Sequence, residues 1–313
     1  MSDAVPDFSQ GPITPDLAVE WIHGSRSKQP NADPPLQVHH CDEHTIILRQ
    51  SMSVSFEAPF LFLLFGNERA LLLDTGATQE PADFPLRDTV DALIAAWLAD
   101  HPQDDYELMV AHSHSHGDHI AGDEQFTDRP HTTVVGTELE EVQAFFGFTE
   151  WPTQVVTLDL GGRVLELTGT PGHHPTSVAV FDPWTGFLLT GDTVYPGRLY
   201  AADRARFGTS VEHLVQFAEA RPVSHVMGAH IEMSRTPRRD YPMGATYQPD
   251  EPPLQMSMDQ LRAVRDAARS AAKPGLHVHD DFIIASGMGP RTVVPLLLRA
   301  YAQRARALLP HRI

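Results

Sequence analysis

The stretch "MVAHSHSHGDHIAG", Met109–Gly122, places four histidines and one aspartate within eight residues. Three of these histidines alternate with other residues, so two overlapping His-x-His pairs are possible. Counted from His114, the sequence continues as His-x-His-x-Asp-His. Counted from His112, the aspartate position holds His116 and the pattern fails. The stretch therefore selects His114 as the first member of the motif.

The spacing within this motif predicts how it holds metal ions. Residues two apart on an extended segment point the same way, so His114 and His116 can bind one cation together. A turn at the following glycine then redirects Asp118 and His119 toward a second cation. His112 is left at the end of a predicted strand, where packing or a hydrogen bond explains it better than metal binding.

Three more ligand-type residues occur where an apolar strand stops. "TGTPGHHP" contains His173, "LLTGDTVYPG" contains Asp192, and "VMGAH" ends with His230. A metal site along one edge of a sheet requires such strand ends, and a carboxylate such as Asp192 can bridge two cations through its two oxygens. The mixed imidazole and carboxylate set suits zinc or a related first-row metal. Coincidence could explain any one of these residues in a chain with 18 histidines, but it explains the ordered set poorly.

Composition limits the classes of function. The chain has 313 residues, 42% of them hydrophobic, which is enough for a core without disulfides, and its single cysteine cannot form an intrachain bridge. A net charge of −18 repels phosphate backbones, so we expect no nucleic-acid partner. The start "MSDAVPDFSQ" does not resemble a signal peptide, and the run "APFLFLLF" is too short to span a membrane. We therefore expect a cytoplasmic protein with no membrane partner; the oligomeric state stays open.

We divide the chain into an N-terminal arm, residues 1–36, and one catalytic domain, residues 37–313, which ends in a helical extension. Strand-like runs come in groups, with helices between the groups. This arrangement favours an α+β fold of layered sheets flanked by helices over a regular parallel barrel. The Pro-rich segment 235–253 has no periodicity, and it fits either an ordinary surface loop or a lid that forms a pocket wall.

Local signals predict individual helices. In "SMDQLRAVRDAARSAA", Ser257 and Gln260 form a capping box, which marks the start of a helix. "TSVEHLVQFAEA" predicts another helix, capped by Thr209 or Ser210. Within the N-terminal arm, "TPDLAVEWIHGS" indicates a short helix.

The motifs "HSHGDH", "TPGH", "TGDT" and "GAH", preceded by "LLLDTG", resemble those of the metallo-β-lactamase fold superfamily. The resemblance covers residues from about Thr45 to His230. It implies an αβ/βα four-layer sandwich of two mixed β-sheets flanked by helices, with a binuclear site at the sheet edges. It also implies a ligand set for two zinc ions per chain. The first ion would be held by His114, His116 and His173, and the second by Asp118, His119 and His230, with Asp192 bridging.

The same resemblance implies a reaction. A hydroxide that bridges two metals is a strong nucleophile near neutral pH, and Asp118 can orient it and take part in proton transfer. We expect hydrolysis of a small-molecule ester, thioester, lactone or amide. Asp74 in "DTG" would steady the ligand loops. True β-lactamases of this superfamily have no aspartate at the position of Asp192. The chain therefore resembles the glyoxalase II-like and lactonase-like members more closely.

Two features refine this expectation. Tyr195 follows the bridging aspartate at the spacing found in quorum-quenching lactonases, so we predict that it is a catalytic residue, with packing in the pocket wall as the alternative. The stretch "GHHPTS" departs from the Gly-His-Thr-x-Gly pattern typical of glyoxalase II-like chains.

Two alternatives concern the metal chemistry. Some relatives bind one iron and oxidise persulfides, and His114, His173 and Asp192 would form the two-histidine, one-carboxylate site for that reaction. Separately, "GLHVHDDF" carries His277, His279, Asp280 and Asp281, for which we favour a structural or pocket-lining role over a further metal site.

Overall fold

Two mixed β-sheets form the centre of the computed structural model, which describes residues 5–26, 32–271 and 273–307. The strands of the first sheet, in spatial order, are β1 (Leu36–Asp42), β2 (Thr45–Gln50), β3 (Phe60–Phe65), β4 (Arg69–Leu73), β5 (Glu107–Ala111) and β6 (Thr132–Val134). Those of the second are β13 (Gln255–Met256), β12 (His225–Gly228), β10 (Phe187–Gly191), β9 (Val178–Asp182), β8 (Val164–Gly169) and β7 (Val155–Asp159). A small third sheet contains β11 (Arg198–Ala201), β15 (Ile283–Ser286) and β14 (Gly275–Val278).

Six α-helices accompany the strands in the described part of the chain. They are α1 (Leu86–Asp100), α2 (Gly117–Ile120), α3 (Leu139–Phe146), α4 (Arg204–Glu219), α5 (Met258–Ser270) and α6 (Pro290–Ala307). Apolar residues of α1 pack on the first sheet, and those of α4 and α5 pack on the second. The predicted four-layer sandwich is therefore confirmed. Within the described ranges, no helix combines the length and the apolar character needed to cross a bilayer.

Strand β3 explains why the sheets stack in layers. All six side chains of "FLFLLF" are buried, and successive side chains of a strand point to opposite faces. Phe60, Phe62 and Leu64 join the core between the two sheets. The residues between them pack instead with Val90, Ile94 and Trp97 of α1. A continuous apolar run is thus the signature of a strand that is buried on both faces.

The local helix signals gave mixed results. The capping box of Ser257 and Gln260 begins α5, as predicted. The other predicted cap was wrong, because α4 begins earlier. Asp203 caps it by accepting from the Arg206 N–H at 3.1 Å. Ser210 lies inside the helix, where its hydroxyl donates to Pro171 O at 2.6 Å.

The helix predicted within the N-terminal arm was also wrong. The stretch "TPDLAVEWIHGS" contains no helix and lies along β1, where the Asp16 N–H donates to Cys41 O at 2.7 Å. The Gln37 side chain holds it there, because its Oε1 accepts from the Ile22 N–H at 2.7 Å and its Nε2 donates to Glu20 O at 3.0 Å. Tertiary hydrogen bonds to β1 therefore override a weak local helix preference.

The Pro-rich segment 235–253 is fixed at both ends. Near its start, the Asp240 carboxylate accepts from Arg299 Nε at 2.6 Å and from Gln303 Nε2 at 2.7 Å, both on α6. Near its end, Glu251 forms a buried bidentate ion pair with Arg49 on β2, at 2.6 and 2.7 Å. The segment is therefore tied to the first sheet and to the C-terminal helix.

A buried arginine joins the two large sheets. Arg163, which directly precedes β8, donates to both carboxylate oxygens of Asp182, at 3.0 and 2.6 Å. The same guanidinium donates to His44 O at 2.6 Å and to Phe65 O at 3.0 Å. His44 lies in the turn between β1 and β2, and Phe65 ends β3, so both carbonyls belong to the first sheet and its turns. Although burial opposes ionisation, the Arg163 charge keeps the pKa of Asp182 below its usual value. The ion pair is thus fully satisfied.

We predict that Arg163→Met lowers the free energy of unfolding by about 3–5 kcal/mol, because it leaves the buried Asp182 carboxylate without its cation. Denaturant titration monitored by fluorescence measures the change. Metal content should stay the same, since Arg163 is outside the candidate site described below. Arg262→Ala, which removes exposed ion pairs only, serves as the control and should leave the unfolding midpoint unchanged. An Arg163→Met variant as stable as the wild type would contradict this account.

Candidate metal centre

Four loops at the carboxyl ends of parallel strands meet at one edge of the sandwich. β4 and β5 are parallel neighbours in the first sheet, and β10 and β12 are parallel neighbours in the second. Asp74 follows β4, the histidine motif follows β5, Asp192 follows β10, and His230 follows β12 closely. Parallel strands end at the same edge, so a ligand site is expected there. The loop after β8 adds His173.

The first ligand group consists of three histidines. His116 Nδ1 lies 3.0 Å from His114 Nε2 and 2.9 Å from His173 Nε2. His114 and His173 are buried, whereas His116 is partly exposed and lines the cavity beside the site. The structure thus brings together the three histidines that the sequence assigned to one cation.

The second ligand group contains Asp118, His119, Asp192 and His230. His230 Nε2 lies 3.4 Å from Asp118 Oδ2 and 3.4 Å from Asp192 Oδ1. His119 Nε2 lies 3.6 Å from Asp192 Oδ1, while the other oxygen of Asp192 faces His173 Nε2 at 3.6 Å. The two carboxylate oxygens of Asp192 therefore face different groups, as a bridging ligand requires.

Hydrogen bonds behind the site fix the orientation of three imidazoles. The Nδ1 atom of His119 is 2.9 Å from Asp74 Oδ2, that of His173 is 3.1 Å from Tyr200 O, and that of His230 is 3.0 Å from Glu57 O. Because these acceptors require a proton on Nδ1, the Nε2 lone pairs point into the site. This arrangement is typical of metal-binding histidines.

Asp74 also organises the loop that carries the motif. Its Oδ1 accepts from the Ser113 N–H at 2.6 Å, and its Oδ2 accepts from the Ser113 hydroxyl at 2.8 Å. Asp74 itself has φ 70, in the left-handed region that is costly for a residue with a Cβ. The backbone strain is tolerated where one carboxylate holds both Ser113 and His119.

The pKa values of His114 and His230, one from each ligand group, shift in opposite directions. In the first group, burial and neighbouring histidines lower the pKa of His114 well below its usual value. In the second group, burial also favours the neutral form, but the carboxylates of Asp192 and Asp118 outweigh it and raise the pKa of His230 to about 9. Conversely, His230 and His119 outweigh burial at Asp192 and hold the pKa of its carboxyl at about 2. The carboxylates therefore stay ionised and require positive charge beside them.

The donor set fits divalent metal ions. Imidazole lone pairs at about 3 Å from one another repel unless a cation or proton lies between them. Asp192 Oδ1 is buried, and no hydrogen-bond donor in the described chain satisfies it. A tetrahedral zinc ion with ligands at about 2.1 Å separates those ligands by roughly 3.4 Å. The observed separations of 2.9 to 3.6 Å bracket this value.

His112 lies outside both ligand groups. Its Nε2 is 2.8 Å from Asp123 Oδ1, and its side chain is buried. This contact agrees with the hydrogen-bonded role expected for His112 from the register of the motif.

The residues of "GLHVHDDF" do not converge on a site. His277 Nε2 contacts Lys273 O at 3.0 Å, and the His279 ring stacks on Phe282. Asp281 accepts from a glutamine of α5 at 2.9 Å. None of these residues lines the cavity beside the ligand groups, so their contacts are structural.

One more group of potential ligands occurs in the described chain, formed by Glu43, His44 and His101. His101 Nε2 lies 2.8 Å from a Glu43 oxygen. However, His44 Nδ1 accepts from the Trp97 indole N–H at 3.1 Å. A neutral imidazole that accepts at Nδ1 carries its proton on Nε2, which is the atom that faces the group. The tautomer therefore disfavours metal binding at this second location.

A cavity of about 340 Å³ opens beside the ligand groups. Ligand residues form its floor, and part of the Pro-rich segment forms one wall, through Pro242, Met243, Gly244, Ala245 and Gln248. Of the two possibilities for that segment, the pocket wall agrees with this geometry. Its ties to α6 and β2 show a fixed wall rather than a free loop.

Tyr195 lines the same cavity, but its hydroxyl has other partners. The residue is 1% exposed, and its hydroxyl donates to Arg198 O at 2.5 Å. A Glu232 oxygen lies 3.2 Å from the same hydroxyl. The single hydroxyl hydrogen is thus already used, and donation to a substrate would require it to leave Arg198 O. The catalytic role of Tyr195 stays a prediction.

Three charged cavity residues were not foreseen from the sequence: Glu57, Arg198 and Glu232. Arg198 is buried and pairs with Glu232 and with Asp240, the latter at 3.1 Å. Burial raises the pKa of Glu57 to about 7. None of the three lies in a recognisable motif, and only the tertiary fold brings them to the cavity.

Comparison with solved structures agrees with the fold. A metallo-β-lactamase from Erythrobacter litoralis, solved with β-mercaptoethanol in its active site, superposes with a TM-score of 0.53 at 16% identity, over 77% of this chain and 99% of that chain. The DIM-1 metallo-β-lactamase superposes with a TM-score of 0.51 at 16% identity, over 76% of this chain and 99% of that chain. At such identities these structures support the fold alone.

Comparison with curated sequences points to hydrolases. A hydroxyacylglutathione hydrolase of Synechococcus sp. (strain JA-3-3Ab) is 29% identical over 170 residues, which cover 51% of this chain and 62% of that enzyme. One from Halorhodospira halophila (strain DSM 244 / SL1) is 28% identical over 134 residues, covering 39% and 47%. The chain thus spans less than two thirds of these relatives' lengths. A sequence profile of the Metallo-beta-lactamase superfamily matches residues 56–275. The chain therefore belongs to the metallo-β-lactamase superfamily.

Proposed function

We propose that this protein is a metal-dependent hydrolase that cleaves an ester, thioester, lactone or amide bond in a small molecule. The observation that carries the proposal is the geometry of Asp192, whose two oxygens face two separate groups of ligand atoms. The similarity to hydroxyacylglutathione hydrolases favours a thioester or related acyl substrate. A cavity of about 340 Å³ is within the range for small-molecule sites.

Each ligand group is proposed to hold one zinc ion. His114, His116 and His173 would bind the first ion. Asp118, His119 and His230 would bind the second, and Asp192 would contact both. When bound, such ions supply a water of lowered pKa as the nucleophile and polarise the carbonyl under attack.

The protein's own groups would position the reactants. Asp118 is partly exposed and lines the cavity, so its carboxylate can accept a hydrogen bond from the attacking water and later carry a proton toward the leaving group. Asp74 acts only through His119 and Ser113, by holding the loop in place. Tyr195 is retained as a candidate donor to the developing oxyanion.

The metal content of the purified protein tests the proposed ligand groups. Purified protein should contain about two zinc ions per chain, because the two ligand groups are distinct and share one carboxylate. Elemental analysis combined with a panel of thioesters, lactones, phosphoesters and β-lactams tests this. A fully loaded preparation with one iron per chain and persulfide-dependent oxygen uptake would overturn the hydrolase proposal in favour of a persulfide dioxygenase.

Asp192→Ala should weaken metal retention and activity together. Changes to residues behind a metal site cost about 10–100-fold, so losing the shared ligand should cost about a hundredfold or more in kcat/KM. His112→Ala is the matched control within the histidine-rich region. It should keep both ions, because its ring contacts Asp123 rather than the ligand groups. If His112→Ala loses metal while His116→Ala retains it, the assigned register is wrong.

Tyr195→Phe should keep both ions and lower kcat on carbonyl substrates by about tenfold. Losing one oxyanion donor typically costs about 10²–10³ in kcat, but a metal that shares the charge and the existing bond to Arg198 O should reduce the effect. The loss should appear in kcat more than in KM. Steady-state kinetics with the best substrate measures it. Wild-type kcat in the Phe variant would leave Tyr195 as a wall residue only.

A further inference from the structure

The last helix, α6, has two faces with apolar side chains, and the described chain packs against only one of them. The inner face carries Leu296, which is buried, and Thr292, whose hydroxyl donates to Ser286 O at 2.8 Å. The outer face carries four large apolar residues, Val294, Leu297, Leu298 and Tyr301, which are 50%, 55%, 63% and 75% exposed. We call these four residues the outer stripe. Their spacing of i, i+3, i+4 and i+7 places them side by side, and a contiguous exposed apolar surface indicates a contact site.

The charge of α6 differs from that of the whole chain. From Pro290 to Ala307 the helix has four arginines and no aspartate or glutamate, whereas the net charge of the chain is −18. Arg291 and Arg304, on either side of the outer stripe, are exposed. Two strongly acidic chains repel one another over most of their surface. The repulsion between carboxylates is weakest where each chain presents a helix that has none.

We propose that α6 is the interface of a two-fold homodimer, in which the outer stripes of two copies pack against each other. In a two-fold contact the same patch lies on both sides, so an apolar stripe is complementary to itself. An axis between Leu297 and Leu298, at the middle of the stripe, would bring Val294 of one copy beside Tyr301 of the other. The inference goes beyond the proposed function and does not depend on it.

The arginines at the two ends of the stripe are compatible with this contact. Arg291 and Arg304 lie about 10 Å from the axis along the helix, at a rise of 1.5 Å per residue. Helices that cross at about 50° have separated at that distance, so the arginines of the two copies do not face each other directly.

The size of the stripe sets the expected strength of the dimer. One face of a helix of 18 residues offers roughly 300 Å². A standard interface buries about 800 Å² per partner, so neighbouring surface must contribute as well. We therefore expect the outer stripe to be the apolar centre of a weak dimer, with a dissociation constant of about 1 µM.

An anionic membrane surface is the less favoured occupant of the stripe. Basic segments that bind anionic lipids gather about four to eight lysines or arginines. Among the described side chains of α6, Arg299 is already paired with Asp240, which leaves Arg291 and Arg304. Two exposed arginines are a small attraction beside a net charge of −18.

The dimer contact also bears on the cavity, because α6 supports the Pro-rich wall. Arg304 Nη2 donates to Met243 O at 2.6 Å, and Gln303 Nε2 donates to Asp240 O at 2.8 Å. Met288, which precedes α6, lines the cavity. A helix held between two copies should fix this wall more firmly than a helix with one face in solvent. Dimerisation is thus expected to order the wall.

Sedimentation equilibrium of the metal-loaded full chain tests the proposal. Over concentrations from about 0.1 to 100 µM, which bracket the expected dissociation constant, the mass should rise from that of one chain to twice that value. Higher ionic strength should strengthen the dimer, because salt screens the repulsion between two acidic chains.

Leu298→Glu places a carboxylate beside the axis in both copies and should weaken association by about a hundredfold or more. Leu298 is already largely exposed in one chain, so the variant should keep its melting temperature and metal content. Phe145→Glu makes the same charge change at a partly exposed apolar residue of α3 and should leave the dimer intact. Backbone hydrogen exchange in residues 243–248 should be slower in the wild-type dimer than in Leu298→Glu at the same concentration.

Three results would contradict the inference. A wild-type protein that stays monomeric over the whole range overturns the dimer, and its co-sedimentation with mixed phosphatidylcholine and phosphatidylglycerol vesicles would assign the stripe to a membrane surface instead. A dimer that persists in Leu298→Glu has its interface elsewhere. Equal exchange rates in dimer and variant would overturn the connection to the cavity wall. None of these measurements needs a substrate, so they are independent of the hydrolase proposal.

Discussion

The site depends on one constraint: its ring nitrogens and carboxylate oxygens lie close together, and there are too few N–H or O–H hydrogens between them to satisfy every lone pair. His114, His116 and His173 direct acceptor nitrogens at each other across about 3 Å, and Asp192 adds a buried oxygen without a donor. Such an arrangement costs free energy in the folded chain unless cations compensate it. The surrounding fold must therefore be rigid enough to hold groups that repel, and Arg163 contributes by joining the two sheets behind them.

The sequence predicted the parts of the site that have a one-dimensional signal. Apolar strands that stop at Asp192 and His230 predict a sheet edge that carries ligands. The spacing of the motif distinguishes His114, its first member, from His112. The grouping of the strands predicted layered sheets flanked by helices, and the resemblance to the superfamily implied the four-layer sandwich. By contrast, the helix predicted in the N-terminal arm failed because Gln37 of β1 supplies hydrogen bonds that no local window contains.

The cavity wall escaped prediction for a different reason. Glu57, Arg198 and Glu232 come from separate loops and strands, and their chemistry depends on which partner each one finds. The pairing of Arg198 with Glu232 turns an apparent anion-binding residue into a neutral one. From its identity alone, Arg198 would be counted as a positive charge in the cavity wall, whereas its contacts show that carboxylates neutralise it. Only the tertiary fold thus brings the charged residues of the cavity wall together, whereas the proposed metal ligands have a signal in the sequence.

The attachment of the Pro-rich wall to α6 has an evolutionary consequence. Asp240 connects Arg198 of the cavity to Arg299 and Gln303 of the C-terminal helix, far along the chain from the ligand-bearing strands. Substitutions along that helix can reshape the wall without touching any group proposed to bind metal. Selection can thus change what the cavity accepts while the proposed metal ligands stay the same.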